Sequence, residues 1–152
     1  MSQPQETPSG FLCHAKEFLA AAELVLNKTK HVSLPSYFLF GRSIELSLKA
    51  FLLTCGMTKG ELKRKKFGHD LEALLDEAIK RGLENEVLID EVEKGVLELL
   101  NYDYLNKRFE YRVTGGTYRL PLIDVTERIA RKLAYGLDEF CTQANQKYQN
   151  VP

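Results

Sequence analysis

From Phe11 the apolar positions Phe11, Ala15, Phe18, Ala22 and Val25 recur at helical spacing, with Lys16 and Glu23 off that stripe. They predict a first helix ending near Asn27 to Lys30. The segment HVSLPS breaks it. Ser33 is placed to cap a second helix, with Pro35 in the first turn, where a missing N–H costs nothing. That helix runs to about Cys55, and Gly56 suits the residue just beyond its end. Tyr37, Phe38, Phe40, Ile44, Leu46, Leu48, Phe51 and Leu52 cover more than one stripe of it. A helix apolar on most sides belongs at a bundle centre or a subunit interface.

The segment MTKGELKRKKFG reads as a basic loop. A third helix is predicted from His69 or Asp70 to Arg81, with Leu71, Leu74, Leu75, Ala78 and Ile79 inward and Gly82 at its end. A fourth spans roughly Glu86 to Lys107 on a stripe of Ile89, Val92, Val96, Leu99, Leu100 and Tyr104. Between Phe109 and Leu120, alternating Phe109, Tyr111 and Val113 precede Gly115 and Gly116, which suggests a short hairpin or an ordered loop. Asp124 and Glu127 have capping-box spacing at the head of a last helix, whose apolar face is Val125, Ile129, Leu133, Leu137, Phe140 and Ala144. The sum is an all-α fold, an antiparallel up-and-down bundle of about five helices. Residues 1–9 read as a disordered tail and 10–148 as a single domain.

Composition narrows the function classes. The 152 residues carry 21 basic and 21 acidic side chains, which excludes a global polycation that coats nucleic acid. Charge is nevertheless uneven. Residues 59–66 hold five basic side chains against one acidic, and residues 72–103 hold ten acidic against three basic. A local anion site is therefore open, either in the 59–66 loop or around Arg108, Arg112 and Arg119. The start of the chain has neither the basic nor the apolar part of a secretory signal, and the longest apolar stretches are interrupted by Arg42, Glu45 and Lys49. Cys13, Cys55 and Cys141 lie far apart without a CxxC pair, so reduced thiols and a cytoplasmic location are expected.

Chemistry-bearing patterns are sparse. His14, His31 and His69 have no metal-ligand spacing, and no cofactor is implied. Glu45 and Lys49 form an i,i+4 pair on an otherwise apolar helix. If buried, each charge needs a partner, and a polar pocket between helices follows. The other acids have the spacing of solvated helical faces. Phe109, Tyr111 and Tyr118 among Arg108, Arg112 and Arg119 fit either packing onto the bundle or a loose single-strand RNA platform.

Three segments together resemble one family. SYFLFGRSIELSLKAFLLTCG is similar to the AIELxLKAxLLxxG signature of HEPN domains, FGHDLEALLDEA to their HDLxxLL segment, and YLNKRFEYR to the place of an Arg-Tyr-Pro turn. Order and spacing agree over about residues 11–145. The resemblance implies a helical bundle that forms homodimers, with members acting beside nucleotidyltransferases in toxin–antitoxin pairs and others acting as metal-independent ribonucleases. The nucleases carry an Arg, four to six residues and a His. Arg64 and His69 meet that spacing, but in a loop ahead of a helix, where His69 is expected to cap or orient. No histidine follows His69, so Arg108 and Arg112 lack a base nearby.

The expectation is thus a non-catalytic nucleotide- or RNA-binding or protein-interaction module, acting as a homodimer. Arg64, Lys65, Lys66 and His69 would form one ligand cluster and Arg108 with Arg112 a second. The alternatives are an endoribonuclease using Arg64 and His69, and a scaffold without a small ligand.

Overall fold

The computed structural model describes residues 6–29, 33–111 and 115–149, with side chains through residue 143. His31 and Arg112 lie outside the described residues. The fold is all-helical, and no strand occurs among the described residues. Helices α1 (Pro8–Lys28) and α2 (Leu34–Thr54) are followed by the short α3 (Lys59–Lys63), then α4 (Leu71–Lys80) and α5 (Glu91–Leu105). The chain closes with α6 (Ile123–Gly136) and α7 (Asp138–Gln149).

Local chemistry sets most of the helix ends. Ser33 caps α2 through the Ser36 N–H, Pro35 sits in the first turn, and Gly56 leaves the helix at φ 99°. Asp70 caps α4 through the Ala73 N–H at 3.1 Å. Helix α1 starts inside the segment read as tail, because Thr7 accepts from the Gly10 N–H and Pro8 takes the first turn.

Four further expectations are revised. The basic loop contains α3, closed by a capping box between Thr58 and Glu61. Helix α5 starts at Glu91 rather than Glu86, because Asp90 and Glu93 form a capping box there and residues 83–85 make a separate 3₁₀ turn. Asp124 and Glu127 form no capping box. Helix α6 begins at Ile123, which puts Asp124 in its first turn, where an acid suits the helix dipole. The last predicted helix is broken at Leu137, beside Gly136, where an added Cβ would sit 2.7 Å from Val87 Cγ2.

Helix α2 is the axis of the bundle and touches α1, α4, α5, α6 and α7. Phe40, Ile44, Leu48, Phe51 and Leu52 are fully buried. Its broad apolar surface is therefore used inside the bundle. Ser43 on the same helix donates to the Ala15 carbonyl at 2.8 Å and lets α1 lie close. Gly41 is a steric requirement: a Cβ there would meet the Tyr104 ring at 2.6 Å. Cys141 is buried filling, Cys55 is half-buried, and all three cysteines are free.

Candidate functional site

Arg42, Glu45 and Lys49 recur at steps of three and four residues on α2 and so share one face. The middle one, Glu45, is only 1% exposed. A buried carboxylate must find partners, and four converge on it. Arg42 and Lys49 each donate to Oε2 at 2.9 Å. The Tyr104 hydroxyl, arriving from α5, donates to Oε1 at 2.7 Å. His69 Nδ1 lies 2.9 Å from the same oxygen.

The turn before α4 delivers His69. The N–H groups of Phe67 and Gly68 both donate to the Arg64 carbonyl, at 2.9 and 3.0 Å. Gly68 takes φ 41°, which favours glycine, and Phe67 anchors the turn in the core. Asn101 of α5 ties the start of α4 down by accepting from the Leu71 N–H and donating to Asp70. His69 itself stays half exposed above Glu45.

Electrostatics follow from this geometry. Burial alone would raise the Glu45 pKa, but Lys49, the Tyr104 hydroxyl and His69 outweigh it and hold Glu45 below the usual carboxylate value. Tyr104 moves the other way: its burial, and then the adjacent Glu45 charge, push the phenol far up. Tyr104 stays protonated and is a fixed hydrogen-bond donor to the carboxylate.

Above Glu45 opens a cleft of about 320 Å³ between α1, α2, α3 and the start of α4. Arg42, Lys49, Lys59, Lys63 and His69 line it with Glu45 and Glu6, over an apolar floor of Phe11, Leu46 and Leu62. Four permanent cations thus face two carboxylates. A second hollow of about 420 Å³ shares Glu6, Phe11, Arg42 and Leu46 with it and extends to Thr7, Gly10 and His14.

The predicted site residues fall in different places. His69 is in the cleft, where it orients on Glu45, while Asp70 does the capping. Arg64, Lys65 and Lys66 are exposed beyond α3 and do not line the cleft; Lys59 and Lys63 of the same basic segment do. Arg108 is not in the cleft either. It donates to Asp103 Oδ1 at 2.8 Å and lies 4.9 Å over the Tyr118 ring. Asp103 is fully buried, and its other oxygen accepts from the Arg119 N–H at 2.6 Å. This acid pins the loop after α5 back onto the helix. The expectation of solvated acids therefore fails for Glu93 and Asp103. Glu93 is held by Lys132 at 2.8 Å and Arg128 at 3.1 Å. Phe109 stacks on both Tyr37 and Tyr118, whereas Tyr111 is exposed.

Arg42 and Tyr104 are the residues that sequence reasoning missed. Arg42 had a local signal, its step of three from Glu45. Tyr104 had none, being 59 residues away.

No three His, Cys, Asp or Glu side chains converge as they would on a metal ion among the described residues, and no helix there is long and apolar enough to cross a membrane. Comparison of the chain with protein-family models, curated proteins and solved structures finds no match.

Proposed function

We propose that this chain is an HEPN-like, non-catalytic binding module that acts as a homodimer and takes a nucleotide or a stretch of RNA by its phosphates. The cleft over Glu45 is the binding site. One observation carries the reading: four cations surround a cleft with only two carboxylates, of which Glu45 fixes Arg42, Lys49 and His69 in place and Glu6 pairs with Lys59 at 3.3 Å, which leaves a net positive cleft. A phosphate meets side chains that are pre-positioned, which reduces the ordering cost of binding. The volume suits a nucleotide-sized group, and Phe11, Leu46 and Leu62 offer an apolar floor to a base. The family resemblance adds a nucleotidyltransferase-type protein as a partner.

The test uses Lys59 and Lys63, which sit at the rim and leave Glu45 undisturbed. A Lys59→Ala, Lys63→Ala double variant should keep its helicity, bind a single-stranded RNA or ADP more weakly, and show a salt dependence shallower by about one unit of slope per lysine. Binding equal to wild type would remove the cleft as the site. No binding by the wild-type chain would favour the scaffold reading.

The 2.9 Å contact between Glu45 and His69 favours a second reading. A carboxylate that orients an imidazole from one side prepares the other ring nitrogen for proton transfer. That arrangement serves a metal-independent endoribonuclease, with Arg64 or the closer Arg42 steadying phosphorane charge. RNA cleavage in chelator, lost in His69→Ala and in Arg64→Ala or Arg42→Ala, would establish it. No cleavage by wild type leaves the binding module.

A further inference from the structure

Two features stand outside the cleft that binds phosphate: His14, and the exposed run Arg64, Lys65 and Lys66. Both adjoin it. The second hollow, which contains His14, meets the cleft along Glu6, Phe11, Arg42 and Leu46. The basic run is bracketed in sequence by Lys63 and His69, and both of these line the cleft. A track therefore leads from His14, past Arg42 and through the cleft, to the basic run.

The two hollows differ in chemistry. The cleft gathers Lys49, Lys59 and Lys63 beside Arg42. The second hollow has no permanent cation except Arg42, and its walls include His14, Phe11 and Leu46. Cations suit a phosphate. A flat ring among apolar walls suits a nucleobase, which stacks on such rings with little regard to its identity.

The groups at the boundary are held in place. Arg42 donates to Glu45 Oε2 at 2.9 Å, and its guanidinium lies 5.8 Å from the centre of the Phe18 ring. The His14 ring packs on the same Phe18, with centroids 4.9 Å apart and planes inclined at 31°. Phe18 thus steadies both side chains, which reduces the ordering cost of a ligand that touches them. A guanidinium has five N–H donors, so the bond to Glu45 leaves Arg42 with donors for a phosphate. Glu6, at the same boundary, is matched by Lys59 at 3.3 Å.

A mononucleotide fills one hollow and leaves the other unused. Two nucleotides joined by a phosphate use both, with the linking phosphate at Arg42. His14 at one end and Lys63 at the other are exposed, so a longer strand has room to continue. We propose that the ligand is a single-stranded oligonucleotide rather than a mononucleotide. One unit lies in the cleft, the linking phosphate on Arg42 and the next base against His14, and the strand leaves across Arg64, Lys65 and Lys66. The proposal rests on the phosphate-binding reading of the cleft and names the substrate class for it.

Isothermal titration of the full chain with AMP, the dinucleotide pApA and an eight-nucleotide oligoadenylate tests it. The dinucleotide should bind about tenfold more tightly than AMP, the factor that one stacked base contributes. His14→Ala should cancel that gain and leave AMP binding unchanged, whereas His14→Phe, which keeps a flat ring, should preserve it. The triple variant Arg64→Ala, Lys65→Ala, Lys66→Ala should bind pApA as wild type does. It should bind the octamer more weakly, with a salt dependence shallower by about two units of slope. All these side chains are exposed, so helical circular dichroism should not change. A dinucleotide no tighter than AMP, or a His14→Ala variant that weakens both equally, overturns the two-hollow site and leaves the phosphate cleft standing. An octamer indifferent to the triple variant overturns the exit path. No binding of any of the three ligands by the wild type overturns the cleft reading as well.

Discussion

The Tyr104 hydroxyl donates to Glu45 Oε1 at 2.7 Å, across 59 residues of chain and between two helices. Its ring rests where a side chain on residue 41 would stand, so Gly41 and Tyr104 are matched sterically while Glu45 and Tyr104 are matched chemically. Tyr104→Phe keeps the ring and removes only the donor. A hydrogen bond to a buried charge contributes about 2 kcal/mol. Thermal unfolding should therefore fall by roughly 4–8 °C, with helicity unchanged. No shift would mean that Arg42, Lys49 and His69 suffice for Glu45.

Acid stability follows from the carboxylates. Glu45 and Glu93 are both held below the ordinary glutamate value of 4.5, the cations and donors around each overcoming the effect of burial. A depressed folded pKa contributes stability that is present above the unfolded pKa and is lost as pH falls through the folded one. Denaturant unfolding should show stability steady around neutrality and declining below about pH 4.5. In Glu45→Gln stability should be lower at neutral pH and its acid decline shallower. An acid limb as steep as wild type would mean that Glu45 does not drive it.

Arg108 tests structural against ligand-binding roles. It is the only side chain bonded to the fully buried Asp103 among the described residues, the other bond coming from the Arg119 backbone. Arg108→Ala leaves a buried charge without its counter-ion, a loss on the order of 3 kcal/mol or more. Chemical denaturation should show that loss, and proteolysis should report a loosened loop after α5. RNA or nucleotide affinity of the folded fraction should stay at wild-type level. A selective loss of affinity at unchanged stability would return Arg108 to the ligand site.

One polar group is spent without return. The Ser47 hydroxyl is fully buried and has no hydrogen-bond partner among the described residues. Ser47→Ala removes an unsatisfied donor and improves helix propensity. It should stabilise the chain by about 1 kcal/mol, read from the midpoint of denaturant unfolding.

Helix existence was legible because its signals are local. Ser33, Pro35 and Gly56 bound α2 through neighbours within a few residues, and Val125, Ile129, Leu133 and Leu137 face the core as their spacing requires. Faces were less legible. Val92 and Leu99 belong by spacing to the predicted stripe of α5, yet both are exposed, and Glu93 and Asp103 are buried instead. Apolar periodicity says that a helix has a covered side. It does not say which charges the neighbouring helices can neutralise.

The sequence alone determined an all-α chain, the caps of its second predicted helix, and a polar group on an apolar α2 that would need partners if buried. Only the tertiary structure decided that Glu45 is that buried group, that His69 and Tyr104 reach it from 24 and 59 residues away, and that Lys59 and Lys63 rather than Lys65 and Lys66 face the cleft. The physical reason is range. Capping and helical periodicity act within one or two turns of chain, whereas desolvating a carboxylate is tolerable only where distant helices bring its counter-charges and donors to the same point.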